Sequence, residues 1–177
     1  MKAIDPRWLP RYAGLVYRAT LHHPQLAGLF APDAVLVPVP GSAPGNDAPW
    51  VASQLAMALR DVGLAATVWL GLRRQFAVRK SATALTGERP TVHEHYESFC
   101  VIRAPAVIRR IVLIDDVITK GRTLLAAAAR MQGQFPHTDI RAFALIRTLG
   151  FQRRVEHLLE PCQGVIRWAR GDARREP

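Results

Sequence analysis

The chain has 177 residues, 49% of them apolar and 21% charged, which fits one globular domain long enough to bury a core. No apolar run reaches the roughly 18 residues needed to cross a bilayer. Residues 1–6 lack the apolar stretch of a signal peptide, so a cytoplasmic location without a membrane partner is the expectation. The net charge of +10, with a pI near 10.9, is carried by 21 Arg and three Lys. It points to nucleic acid, to a small phosphorylated ligand, or to no more than a decorated surface. Cys100 and Cys162 make neither a metal pattern nor a disulfide framework and are expected as buried free thiols.

In chain order, residues 9–21 are an apolar-rich helix candidate that needs a packing partner; Trp8, Tyr12 and Tyr17 belong either to the core or to a hood over a binding site. Continuous apolar runs at 34–39, 66–72, 111–114 and 140–146 read as strands of a parallel sheet covered on both faces. Between the first two runs, residues 50–62 read as a helix with Val51, Leu55, Leu59 and Val62 on one face. Asn46 or Asp47 would cap it, Pro49 open it and Gly63 stop it. Residues 73–97 form a long polar insertion carrying Arg73, Arg74, Arg79, Lys80 and Arg89; stretches like this are often lids or binding loops. A second helix runs over 122–134, ending at Gly133 or before Pro136, and residues 168–177 are basic and expected to fray. Strands alternating with helices predict an α/β, doubly wound, mainly parallel sheet. The chain reads as a single domain over 1–177: an N-terminal hood at 1–31, a core at 32–150 containing the loop 73–97, and a C-terminal segment at 151–177.

The segment of residues 111–123 carries the chemistry. A buried strand ends in Asp115 and Asp116; the turn Val117, Ile118, Thr119, Lys120, Gly121 follows, and a helix opens at Arg122 and Thr123. A loop feeding a helix N-terminus offers unpaired N–H groups and the positive end of the helix dipole to a phosphate. Thr119 and Thr123 add hydroxyl donors, and Gly121 permits close approach of the backbone. The carboxylates repel phosphate but accept hydrogen bonds from sugar hydroxyls. Phosphate at one end and a vicinal diol nearby describe a ribose 5-phosphate at the carboxyl end of a strand.

This segment resembles the 5-phosphoribosyl-1-pyrophosphate (PRPP) signature of the type I phosphoribosyltransferases. Residues 35–147 resemble the ComF-like branch of that family, which is linked to DNA uptake. Residues 35–40 match its first strand and turn, and 46–59 its following helix, without the usual Arg-Gly-Phe-Asn stretch. Lys120 stands where the family has a second Thr and Arg122 where it has a small residue, both adding positive charge. The Cys-rich zinc module of many ComF proteins is missing.

The resemblance implies a type I phosphoribosyltransferase fold and transfer of ribose 5-phosphate from PRPP to a nitrogen acceptor, with release of pyrophosphate. It implies Mg2+ bound through PRPP, with Asp115 and Asp116 as its possible protein contacts, and a possible homodimer. Pro40, Gly41 and Ser42, with Arg73, would hold pyrophosphate; an ordinary Pro-Gly turn is the alternative. Arg79 and Lys80 are the catalytic candidates on a loop that closes over the site, with Arg73 and Arg89 as further cations. His93 and His95, with Glu94 and Glu97, match no closed zinc pattern and read as polar loop residues. Two other readings stay open: a PRPP- or nucleotide-sensing regulator without catalysis, and a nucleic-acid accessory protein using the basic surface. No Walker loop, dinucleotide glycine motif or nucleophile elbow is present.

Overall fold

The computed structural model describes residues 4–44, 49–79, 89–104, 107–148 and 160–176. The expected cap at Asn46 or Asp47 and the loop candidate Lys80 lie outside them. The elements are α1 (Leu9–Thr20), α2 (Pro24–Leu29), β1 (Ala34–Pro38), α3 (Val51–Asp61), β2 (Thr67–Val68), β3 (Leu72–Arg74), α4 (Val92–Ser98), β4 (Phe99–Val101), β5 (Arg110–Ile118), α5 (Arg122–Gln134), β6 (Asp139–Arg147), β7 (Val165–Ala169) and β8 (Asp172–Glu176).

The central sheet has four strands in the order β2-β1-β5-β6, all parallel. Over β1 and the first half of β5 the apolar runs do not alternate because both faces are covered; β6, expected as a buried run, is an edge strand with no fully buried residue, and its Ile146 is 41% exposed. Along β5, Val112 and Ile114 pack with Leu36, Leu55, Leu59 and Leu9, so α1 and α3 lie on that face. Ile111 and Leu113 pack with Val37, Phe99, Leu124 and Met131, which puts α4 and α5 on the other. Each such side chain, fully withdrawn from water, stabilises the fold by about 2 kcal/mol. Helix α1 thus finds its packing partner. Trp8 and Tyr17 nevertheless remain 48% and 43% exposed, so the core assignment does not hold for them; Tyr12 packs at the core edge.

The expected strand at 66–72 divides. Only Thr67 and Val68 pair with β1, and at Gly71 a Cβ would sit 2.2 Å from the Trp69 ring. Beyond that glycine the chain leaves the sheet as β3, which pairs antiparallel with β4. The insertion 73–97 is therefore not an irregular loop at its ends. Its last part is α4, opened by a capping box in which the Thr91 hydroxyl accepts from Glu94 N–H and the Glu94 carboxylate accepts from Thr91 N–H. Arg130 ties α4 to α5 by donating to the Tyr96 carbonyl at 2.8 Å while its guanidinium lies 4.0 Å from the Tyr96 ring centroid.

Up to Glu176 the basic C-terminal segment is ordered as strand and turn, not frayed as expected. β7 and β8 form an antiparallel hairpin about a turn with Arg170 and Gly171 at positive φ, and Ala173 is buried in the α5-side core. Cys100 is half-buried and Cys162 exposed, not buried as expected. Among the described residues no helix is long and apolar enough to cross a membrane.

Candidate functional site

β1 and β5 lie side by side, but the chain leaves them in opposite directions: from β1 through α3 to β2, and from β5 through α5 to β6. The crevice at the carboxyl ends of two such strands is where open α/β sheets bind ligands. The turn at residues 40–42 and the loop at 119–123 both open from it. Pairing of β1 stops at Pro38, opposite Ile114, and Val39 N–H closes the last bond to the Ile114 carbonyl at 2.9 Å. Asp115 and Asp116 come next on β5, where that strand has lost its β1 neighbour. They do not end the strand, as the apolar run implied. Pairing with β6 carries β5 through Val117 and Ile118, which align with Ile146 and Arg147.

Asp115 sits in an electrostatically unfavourable place. Asp115 accepts the Asp116 backbone N–H at 2.9 Å. Burial pushes the Asp115 carboxyl well above its usual range, and the neighbouring Asp116 charge pushes the same way; the Arg74 guanidinium opposes both. The group therefore stands to gain from hydroxyl donors or a cation.

At the loop, Gly121 is the N-cap of α5 with φ at 86°, a left-handed conformation that glycine adopts without strain. The space a Cβ would take is bounded by the Ile166 side chain of β7, with Cδ1 2.9 Å away. Glycine here admits the hairpin to close contact. Gly121 offers no side-chain cap, so the first-turn N–H groups lack an acceptor within the helix. Thr119 and Lys120 are exposed, Arg122 and Thr123 half-buried. Both loop cations meet one carboxylate of β8: Arg122 grips Asp172 through two bonds, Nη2 to Oδ2 at 2.6 Å and Nε to Oδ1, and Lys120 Nζ reaches Oδ2 at 3.0 Å. Their hydrogen bonds hold the Asp172 carboxyl well below the usual carboxylate range.

Arg74 links the two loops. Strand alternation leaves Arg73 exposed and buries Arg74. The buried guanidinium donates to the Gly41 carbonyl and the Ser98 hydroxyl, and Nη2 lies 3.1 Å from His95 Nδ1. It also lies 4.3 Å from the Phe99 ring centroid. Burial lowers its pKa to about 10. The cation beside Gly41 is thus Arg74, not the expected Arg73. The turn is pinned again where the Ser42 carbonyl accepts from Val78 N–H at 2.8 Å. His95 belongs to α4 rather than a polar loop; it is buried, and its Nε2 lies 3.3 Å from Thr123 Oγ1. Burial, then the Arg74 charge, lowers its pKa to about 4.

Arg79 and Arg89 line one cavity of about 400 Å³ with Phe76, Val78, Pro90, Thr91 and Glu94. The Arg89 and Pro90 carbonyls accept from Arg122 Nη1 at 3.3 and 3.2 Å. His93 is exposed, and among the described residues no group of three or more His, Cys, Asp or Glu could hold a metal. In the sequence Arg74 stands out only as one cation of the insertion and His95 only as a polar loop residue, and Asp172 does not stand out at all. The pattern Thr91-x-x-Glu94 could have found α4 and its buried histidine face; no local signal marks Asp172.

No family model matches this sequence, and no curated protein matches it.

Proposed function

We propose that the chain is a PRPP-binding phosphoribosyltransferase with the doubly wound type I architecture. One observation carries this reading: a carboxylate pair, a glycine-bearing loop at a helix N-terminus and a Pro-Gly turn converge on the single crevice between β1 and β5.

In this reading the ribose hydroxyls donate to Asp115 and Asp116, which compensates the burial and the neighbouring charge that push the Asp115 carboxyl upward. The 5-phosphate takes N–H groups of residues 119–123 and the hydroxyls of Thr119 and Thr123. Pyrophosphate lies over Gly41 and Ser42, with Arg74 behind the turn. A nitrogen lone pair forms the new bond to the anomeric carbon as the carbon–oxygen bond to pyrophosphate breaks. Pyrophosphate leaves with that electron pair, and the nitrogen sheds a proton. Holding the reactants and neutralising the leaving group are the protein's main contributions. The carboxylate pair fits Mg2+ that is held chiefly by ligand oxygens and water, with Asp115 and Asp116 as its protein contacts. When bound, Mg2+ supplies positive charge to the departing pyrophosphate.

A second reading, a PRPP- or nucleotide-sensing regulator, is favoured by one contact. Asp172 already engages both loop cations, so an arriving anion would compete with it and loosen the hairpin. Pyrophosphate release, measured across a panel of nitrogenous bases with PRPP and Mg2+, tests the choice. Turnover with any base supports the enzyme; tight PRPP binding with no release across the panel supports the sensor.

A further inference from the structure

We infer that His95 is a positioning residue that turns the Thr123 hydroxyl into a donor toward an anion at the start of α5. The inference rests on the phosphate-binding reading of the loop.

A guanidinium has donors only, so the contact between Arg74 Nη2 and His95 Nδ1 at 3.1 Å requires an unprotonated Nδ1. The ring is then neutral with its proton on Nε2, 3.3 Å from Thr123 Oγ1. Protonating Nδ1 would set two cationic donors against each other in a buried site. The groups facing the ring agree: Arg74 from β3 and Arg122 from α5 both oppose a second proton, and only Glu94 on α4 favours one. The ring is also held mechanically. Phe99 stacks on it with centroids 6.3 Å apart, and the Ser98 hydroxyl donates to the His95 carbonyl at 2.7 Å.

With Nε2–H donating, Thr123 Oγ1 is an acceptor on its protein side, and its single hydroxyl proton is left for an outside partner. Threonine in a first helical turn would otherwise be free to rotate and to offer a lone pair, which an anion repels. The same Arg74 that sets the tautomer also holds the Gly41 carbonyl. One buried arginine therefore prepares both loops of the crevice.

The test combines a spectroscopic and a binding measurement. Long-range nitrogen–proton NMR of the ligand-free protein should find His95 as the Nε2–H tautomer at pH 7 and still neutral at pH 6. An Nδ1–H tautomer or an imidazolium at pH 6 overturns the inference and leaves the phosphate reading intact. In calorimetry with ribose 5-phosphate as the probe, His95→Leu and Thr123→Val should each weaken binding about tenfold, and the double variant no further. His95→Gln, whose amide can accept from Arg74 and donate to Thr123, should stay within about threefold of wild type. If His95→Leu does not fold, Thr123→Val and His95→Gln decide. His95→Gln as weak as Thr123→Val overturns the inference, as does unchanged affinity in a folded His95→Leu. Absence of ribose 5-phosphate binding by wild-type protein overturns the phosphate reading itself, and the positioning role with it.

Discussion

Two carboxylate centres flank the loop at residues 119–123, and they are opposites. Asp172 has what a carboxylate wants: Arg122 at two oxygens, Lys120 at one, and the Ala173 N–H at 2.8 Å. Its proton affinity falls accordingly. Asp115 has burial and a like charge beside it, and its proton affinity rises. One is a fastener between the C-terminal hairpin and the loop. The other stores unfavourable electrostatics in the crevice at the sheet's switch point, where a ligand with hydroxyl donors would relieve it. The satisfied charge fastens one element to another, and the strained one is the feature on which the proposed ligand site rests.

The largest test of that contrast is Asp115→Asn. It should weaken PRPP binding roughly 100-fold, the worth of charge-assisted hydrogen bonds to the diol. It should also stabilise the ligand-free protein by about 1–2 kcal/mol in chemical denaturation, because a half-buried charge beside a like charge is replaced by a neutral group of the same shape. A destabilised variant would mean the Asp115 charge is structural.

Next in size is the response to pH, where Asp115 and His95 have opposite signs. His95, with a folded pKa near 4, takes up a proton mainly when unfolded, so its neutrality costs stability as pH falls below the ordinary value of 6.5. The raised Asp115 carboxyl does the reverse: protonation relieves it, and stability rises as pH falls. In wild type the two partly cancel. In Asp115→Asn, stability should drop by up to about 2 kcal/mol between pH 6.5 and about pH 5, at about 1.4 kcal/mol per pH unit. In His95→Gln it should rise over the same window. Matching profiles for the two variants would contradict the assignment.

The smallest effect belongs to Asp172→Asn. The pair is partly solvated, with side-chain exposures of 22% for Arg122 and 29% for Asp172, so its loss should cost about 1 kcal/mol at low salt and less in 1 M NaCl. Freed of their partner, Lys120 and Arg122 should raise affinity for inorganic phosphate a few-fold. Weaker phosphate binding would mean that Asp172 orients the two cations for the ligand instead of competing with it.

The positions of strands β1 and β6 and of helices α3 and α5 were legible in sequence because their signal is local and periodic, although β6 is a half-exposed edge strand and not the buried one its apolar run implied. β5 read short because Asp115 and Asp116 end the apolar run, although the β6 ladder continues past them. β7 and β8 escaped notice because a small hairpin rich in arginine is held by contacts far away in sequence, Ile166 on Gly121 and Asp172 on Arg122. The carboxylate pair and the loop were legible as neighbours in sequence. Which of two adjacent arginines enters the site was not, since it depends on the register of β3 against β4. The basic composition pointed to an anionic partner without saying where; several of those charges are spent within the fold, on Asp172, on the Gly41 carbonyl and on the Tyr96 carbonyl.

The most direct measurement is calorimetric titration of PRPP into the wild-type protein and Asp115→Asn, each with and without Mg2+. Magnesium-dependent binding in wild type that disappears in the variant is the predicted result. No binding to wild type, or equal binding to both proteins, would contradict the assignment of the crevice to a ribose phosphate.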